Sequence, residues 1–337
     1  MDAPVTFDDL ALRMLGAGTD LHAIVGDAVS HARALNTRRG YELRQEKFIR
    51  FCAQWGVQWL PAEPATILAF LAVTSGSIKA QCLPGYRLAI RALHVDQGLP
   101  DPTSTGAISK FMSGNTRLRG TKSDKKAALR SEDVVAMCAY HDVAGGFLSI
   151  RAKAMLLAAY GAALRSSEVV DIRREHLKIA PEGMILTIPQ SKTDQEGVGA
   201  SIPIARGRNL ETCPVGAVQD WMDAIDTKLG STAKEGWLFP ALKPYPTGSD
   251  NIRVYPVPAT EVAFRKSIKD AVRAIGLDPR SYSGHSCRSG HATTVARNGA
   301  TLHDLMAQGR WASAKVAMSY IQIGRAFTDS TSNLLGL

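Results

Sequence analysis

A chain of 337 residues exceeds the size at which one hydrophobic core usually keeps growing, so two domains are expected. Hydrophobic residues make up 45% and charged residues 21%, a balance that excludes a chain disordered throughout. The formal net charge of +9 favours a polyanionic partner, nucleic acid before membrane.

Cys52, Cys82, Cys138, Cys213 and Cys287 are odd in number and widely spaced, with no Cys-x-x-Cys pair, which suits reduced thiols and a cytoplasmic location. The opening MDAPVTFDDLALRM lacks the basic and apolar regions of a signal peptide. The most apolar run, Ala154 to Leu164, is too short for a membrane span and is followed at once by Arg165.

In chain order, residues 7–35 carry helical apolar spacing, and Asn36-Thr37 reads as the start of a helix. Along TRRGYELRQEKFIRFCAQWG, Tyr41, Phe48, Cys52 and Trp55 fall on one face, with Gly56 as the terminator. Arg38, Arg39 and Arg44 are left for the other faces, as solvated surface or as contacts to phosphate. A second helix runs through ILAFLAVTSG to Gly76. A third, in LPGYRLAIRALHVDQG, buries Tyr86, Ile90 and Leu93 and turns Arg87 and Arg91 to a different face. A short amphipathic stretch, Ala107 to Leu118, completes a helical domain over residues 1–120.

From Arg117 to Arg130 the sequence RLRGTKSDKKAALR is strongly basic. Residues 121–130 read as the domain linker, either solvated or laid along a phosphate backbone; Arg117, Arg119, Lys122, Lys125 and Lys126 are the candidate contacts. The second domain, residues 131–325, opens with Ser131-Glu132-Asp133 as a helix cap and proceeds to an apolar helix, Ile150 to Gly161. Arg165 and Glu168 follow at a loop-to-helix junction. They read first as a capping and salt-bridge pair, with orientation of a neighbouring basic group as the alternative.

The period then changes to alternation. Met184, Leu186 and Ile188 pair with Ile202 and Ile204 in an expected hairpin whose long connection carries Lys192, either a solvated ammonium or a mobile proton donor. A helix over 214–230 precedes FPALKPYPTGSDNIRVYPVPAT, which reads as a loop. Thr260 caps a basic helix with Phe264, Ile268, Ala271 and Ile275 as its stripe. Arg265, Lys266 and Lys269 lie elsewhere around it, on a surface helix or one that enters a major groove.

The stretch from Gly284 to Tyr320 sets His285 and Arg288 three residues apart, well upstream of Trp311 and Tyr320. A phenol can act as a covalent nucleophile, a guanidinium can grip two phosphate oxygens, and an imidazole can share a proton. His285, Cys287 and His291 match no familiar zinc spacing.

Arg165 with Glu168, Lys192 on a hairpin, His285-x-x-Arg288, Trp311 and Tyr320 resemble, in order and context, the active-site set of the tyrosine recombinase (phage integrase) family. The segment SGHSCRSGHATTVARNGATLHDLMAQGRWASAKVAMSYI is similar to its Cre-like branch. The resemblance implies a mainly α fold with a small β-sheet: a helical, SAM-like core-binding domain and an α+β catalytic domain that together form a C-shaped clamp on DNA.

It also implies a mechanism without cofactor or metal. Tyr320 would attack the scissile phosphate to give a 3′-phosphotyrosyl link, Arg165 and Arg288 would clamp the non-bridging oxygens, and Lys192 would protonate the 5′ leaving oxygen. His285 and Trp311 would hydrogen-bond the phosphate, and Glu168 would hold the basic groups in place. The implied partner is double-stranded DNA with inverted half-site repeats. Self-association to a tetramer on two sites would use the tail, residues 326–337, docked into a neighbouring protomer. A type IB topoisomerase, a telomere resolvase or a non-catalytic DNA-binding relative remain as alternatives.

Overall fold

The structure, a computed structural model, describes residues 6–31, 33, 35–120, 126–189, 199–230, 235–244 and 252–335, and the chain divides into two units, Met1–Asp124 and Lys125–Leu337. The first unit is built from α1 (Phe7–Gly16), α2 (Leu21–His31), α3 (Leu35–Trp55), α4 (Pro64–Ser77), α5 (Leu83–Val95) and α6 (Gly106–Arg119). Asn36 and Thr37 lie inside the first turn of α3 rather than ahead of it. Gly56, at φ +63°, follows the last residue of α3 in the left-handed conformation that glycine adopts freely.

The core of this unit contains Phe48, Cys52, Ile67, Phe70, Leu71, Leu83, Tyr86, Ile90 and Ile108. Each large side chain here contributes about 1.5–3 kcal/mol by leaving water. The expected α3 stripe holds at Phe48 and Cys52, both fully buried, but not at Trp55, which is 64% exposed in the last turn beside Phe51. Buried His94 braces α5 against the chain before α4. Its Nε2 accepts the Ala62 N–H at 2.9 Å, so Nδ1 carries the proton given to the Ile90 carbonyl at 2.9 Å.

The second unit begins with α7 (Ser131–Ala144), α8 (Gly146–Gly161) and α9 (Ser166–Val170). The cap of α7 is Arg130, whose backbone N–H donates to Asp133 at 3.0 Å; Ser131 is already helical. Then come β1 (Leu177–Ala180), β2 (Gly183–Ile188), β3 (Ala200–Ala205) and α10 (Pro214–Leu229). The three strands form an antiparallel sheet in chain order, with Met184 opposite Ile204 and Leu186 opposite Ile202, all four buried. β1 adds a strand to the expected hairpin.

The proline-rich stretch expected as a loop contains two strands, β4 (Pro240–Pro244) and β5 (Ile252–Pro258), paired antiparallel. In a two-stranded sheet every strand is an edge, so prolines need not interrupt the ladder. α11 (Glu261–Ala274), α12 (His285–Arg297), α13 (Leu302–Gly309) and α14 (Ala314–Gly324) complete the unit. Thr260 caps α11 by accepting the Ala263 N–H.

Two features of this unit position the site. α8 is buried along Ala152, Ala154, Met155, Leu156, Leu157, Ala158 and Ala159, and packs against α7, α10 and α12. α12 is buried without a break from Ser286 to Ala292, and its alanines Ala292 and Ala296 meet Ala317 of α14 in a small-residue cluster. Small side chains let two helices approach closely, so the helix that carries Tyr320 lies against the helix that carries His285 and Arg288.

Candidate active site

Arg165 is the N-cap of α9, and Glu168, at its third position, folds back on it. One carboxylate oxygen, Oε1, accepts from Arg165 Nη1 at 2.6 Å; the other, Oε2, accepts the Arg165 backbone N–H at 2.8 Å. The expected capping pair is therefore present, and buried. Glu168 is 6% exposed. Burial alone pushes its carboxyl up, but Arg310 and Arg165 outweigh that and hold it below the usual carboxylate range.

His285 is the first residue of α12, after Gly284. A Cβ on Gly284 would lie 2.2 Å from Ser166 Oγ and 3.0 Å from the Phe264 ring, so glycine permits the contact that brings the start of α12 against the start of α9. His285 keeps an exposed edge. Its ring sits below the ordinary imidazole range, first because the packed site crowds it away from water and then because Arg288 and Arg165 repel a second positive charge.

Arg288 is 1% exposed and aims inward from α12. Nη1 donates to the Ala163 carbonyl and Nη2 to the Gly309 carbonyl. Its guanidinium carbon lies 4.3 Å from the centre of the Trp311 ring, a cation–π contact that also shields it from solvent. Burial, reinforced by repulsion from Arg165, lowers it to about 10, which leaves it charged near neutral pH. Ala163 itself holds φ +50°, an unusual left-handed position for a residue with a side chain, and its carbonyl is the one that receives Arg288.

Trp311 follows the end of α13, and its ring centre lies 5.3 Å from that of Tyr320. A Cβ on Gly309 would fall 1.6 Å from Trp311 Cζ3, so only glycine allows the indole to fold over this turn. Tyr320 is half-buried in the second turn of α14, and burial raises its phenol while Arg288 pulls it the other way. The end of α14 is pinned by Arg325, which donates to the Ala296 carbonyl at 2.8 Å and the Ala300 carbonyl at 2.9 Å at the close of α12.

The structure thus gathers six of the seven expected site residues: Arg165, Glu168, His285, Arg288, Trp311 and Tyr320. Lys192 lies outside the described residues. One residue of the cluster was not anticipated. Arg310, with a side chain 9% exposed, donates Nη2 to Glu168 Oε2 at 2.7 Å. Its only local signal is a cation at the polar close of an amphipathic stretch, in Gly309-Arg310-Trp311. The other two candidate ligands weighed with His285 are occupied otherwise. Cys287 is fully buried with its thiol pushed up to about 12, and His291, lowered by burial to about 4, meets the Tyr160 carbonyl at 2.7 Å. Among the described residues no group of three His, Cys, Asp or Glu side chains is placed to hold a metal ion.

The expected DNA contacts are more scattered. Arg38 and Arg39 are exposed on α3. Arg44 lies over the Tyr86 ring at 5.6 Å and donates to the Gly40 carbonyl, and Arg91 pairs with Asp101 at 3.2 Å. Arg87 and Arg117 line one groove of about 510 Å³ between α5 and α6, and Arg119 is exposed at the end of α6. Lys122 and Lys125 lie outside the described residues; Lys126 reaches the Arg280 carbonyl at 2.6 Å. On α11, Arg265 pairs with Glu261 at 3.8 Å and Lys266 with Asp270 at 2.6 Å, while Lys269 is half-buried.

This cluster can do a defined chemistry. Guanidinium groups of Arg165, Arg288 and Arg310, backed by a carboxylate and by carbonyls, are held in place beside a phenol, a donor set of the kind that can bind an anion such as a phosphodiester. Among the described residues no helix is long and apolar enough to cross a membrane.

Comparison with known proteins agrees. The chain is 29% identical over 305 residues to the integrase/recombinase xerD homolog of Selenomonas ruminantium, covering 90% of this chain and 86% of that one. It is 22% identical over 335 residues to the cre recombinase of Escherichia phage P1, covering 92% and 94%. Its fold matches XerH site-specific recombinase bound to palindromic difH substrate at a TM-score of 0.63 and 14% identity, over 89% of this chain and 80% of that one. The sequence profile of the phage integrase family matches residues 127–325, the segment that holds the whole cluster, and the chain therefore belongs to the phage integrase family of tyrosine recombinases.

Proposed function

We propose that this protein is a site-specific DNA recombinase in which Tyr320 attacks the scissile phosphate and forms a 3′-phosphotyrosyl link, releasing a 5′-hydroxyl. The observation that carries the reading is the chain of contacts Arg288–Trp311–Tyr320: a buried cation, the ring that covers it and a phenol in tilted contact with that ring. Arg165 and Arg288 take the non-bridging oxygens and stabilise the charge that accumulates in the transition state. His285, kept neutral near physiological pH, accepts or relays the tyrosine proton. Trp311 offers its indole N–H to the phosphate, and Glu168 orients Arg165. Lys192 is assigned the proton for the 5′ leaving oxygen from its sequence context. Attack of a partner strand's 5′-hydroxyl on the phosphotyrosyl bond reverses the step, so the phosphodiester energy is conserved and exchange needs no cofactor.

Residues 1–120 grip DNA, through the exposed arginines of α3 and the Arg87–Arg117 groove, joined by a basic linker to a catalytic domain at 131–325. The DNA is a duplex with inverted half-site repeats, and four protomers assemble on two such sites. The tail supports this assembly: Phe327 is 92%, Leu334 85% and Leu335 66% exposed, apolar surface suited to a neighbouring protomer. The reaction takes place in the cytoplasm, consistent with five free cysteines.

Duplexes selected by binding to the full chain supply the site for the test. A plasmid carrying two such sites should be resolved or inverted by the protein at those sites. Relaxation of any plasmid without exchange would instead assign a topoisomerase, closed hairpin ends a resolvase, and tight binding with no strand breakage a non-catalytic relative.

A further inference from the structure

Arg310 has no part in the chemistry assigned above, yet it touches both halves of the cluster. Its Nη2 holds Oε2 of Glu168, the carboxylate whose Oε1 holds Arg165. Its own backbone lies between the Gly309 carbonyl that receives Arg288 and the Trp311 ring that covers Arg288. Nη1 is steered by the Ala162 carbonyl at 3.4 Å and the Gln308 carbonyl at 3.3 Å.

Three further facts set this residue apart from an ordinary salt bridge. It ends α13 at φ +54°, a left-handed turn that glycine fills without steric cost, and yet the largest cation stands there. Nε is buried with no hydrogen-bond partner, so the side chain is held for where its other end reaches rather than for complete satisfaction. And Glu168 already has a partner in Arg165, so a second guanidinium adds buried positive charge rather than neutralising a bare carboxylate. A backbone outlier at a reacting centre, carrying a side chain directed at another site residue, is the pattern expected of a group kept for position.

We propose that Arg310 is a positioning residue for DNA cleavage: by holding Oε2 of Glu168 it sets the carboxylate, and through Oε1 the Arg165 guanidinium, at the angle that grips the scissile phosphate. The same turn seats the Gly309 carbonyl and Trp311 against Arg288, so one residue registers the two phosphate clamps against each other. The inference rests on the reading of Tyr320, Arg165 and Arg288 as cleavage machinery.

The test is single-turnover cleavage of a nicked suicide duplex by the full chain, with affinity for the uncleaved duplex measured in parallel and rates taken well below each variant's melting temperature. Arg310→Gln should slow cleavage roughly 10- to 100-fold while affinity stays within about threefold. Arg310→Gly, which relaxes the backbone turn, should lose the same cleavage rate, and Arg310→Lys should recover part of it. Because the two residues act as one device, Glu168→Gln combined with Arg310→Gln should be no slower than the worse single variant. Wild-type rates in both Arg310→Gln and Arg310→Gly, or losses that multiply in the double variant, would overturn the inference. The control separates the two levels: an adduct that requires Tyr320 but ignores Arg310 removes only this inference, whereas no adduct from the unaltered chain on a bound duplex removes the proposed reaction and this inference with it.

Discussion

The Arg288 guanidinium lies over the Trp311 indole, 4.3 Å from its centre, and Tyr320 packs on the same ring at 5.3 Å. The indole thus sits between the two; in the proposed reaction it sets the distance between the cation that grips the phosphate and the phenol that attacks it. Trp311→Phe keeps an aromatic surface but removes the N–H. Loss of one hydrogen bond to a charged group, about 1.5–3 kcal/mol, should slow cleavage by roughly 10- to 100-fold with little change in DNA affinity. Trp311→Ala should slow it further and lower the melting temperature as well, since truncating a buried Trp costs about 3–5 kcal/mol. Single-turnover cleavage and thermal melting of the two variants check both statements.

Gly309 supports the same ring from below. With a Cβ only 1.6 Å from Trp311 Cζ3, Gly309→Ala must displace the indole or the turn. Cleavage should fall as far as in Trp311→Ala, although the substitution removes no chemical group. Fluorescence of the tryptophans should report a changed environment in this variant and not in Gly230→Ala, where a Cβ meets open space although the backbone turn is left-handed.

The protein should lose stability as pH falls from about 6.5 towards 4. His291 is buried, bonded to the Tyr160 carbonyl and lowered to about 4, whereas in the unfolded chain it protonates near 6.5. The unfolded state therefore binds the proton first, and the folded state is fully favoured only above the unfolded value. That difference is worth about 3 kcal/mol at its limit. His285 and His141, both also held below the ordinary range, push in the same direction. Denaturant midpoints measured from pH 7.5 to 4.5 should fall steadily, and His291→Gln should flatten part of that slope.

In the first unit, His94 bridges the Ile90 carbonyl and the Ala62 N–H from within the core. His94→Leu leaves a buried donor and a buried acceptor without that bridge, a cost of about 1–3 kcal/mol for each group left unsatisfied. Hydrogen exchange should quicken across α3 to α6 and remain unchanged in α12. A uniform change across both units would contradict the assignment.

The juxtaposition of the candidate residues was named through the resemblance to the tyrosine recombinase family; local spacing alone gave Arg165 with Glu168 only as a capping and salt-bridge pair and set His285 and Arg288 three residues apart. Arg310 was not legible, because its meaning lies in a left-handed turn and in a carboxylate 142 residues away. The core stripe of α3 was readable at Phe48 and Cys52, where neighbouring helices cover it, but helical spacing cannot say where that cover stops, and Trp55 lies past it. The strands β4 and β5 were hidden by their prolines, whose cost in a central strand vanishes in a pair of edges. Trp311 over Gly309 depends on a contact between two nearly adjacent residues that no periodicity encodes.

Tyr320 as the nucleophile is the claim on which the rest depends. The direct measurement is to trap the protein on a nicked suicide duplex, digest the covalent complex and identify by mass spectrometry the peptide that carries nucleotide. The expected result is a phosphotyrosyl bond on the peptide containing Tyr320 and no complex from Tyr320→Phe at undiminished DNA binding. A complex that survives in Tyr320→Phe, or nucleotide attached to another residue, would contradict it.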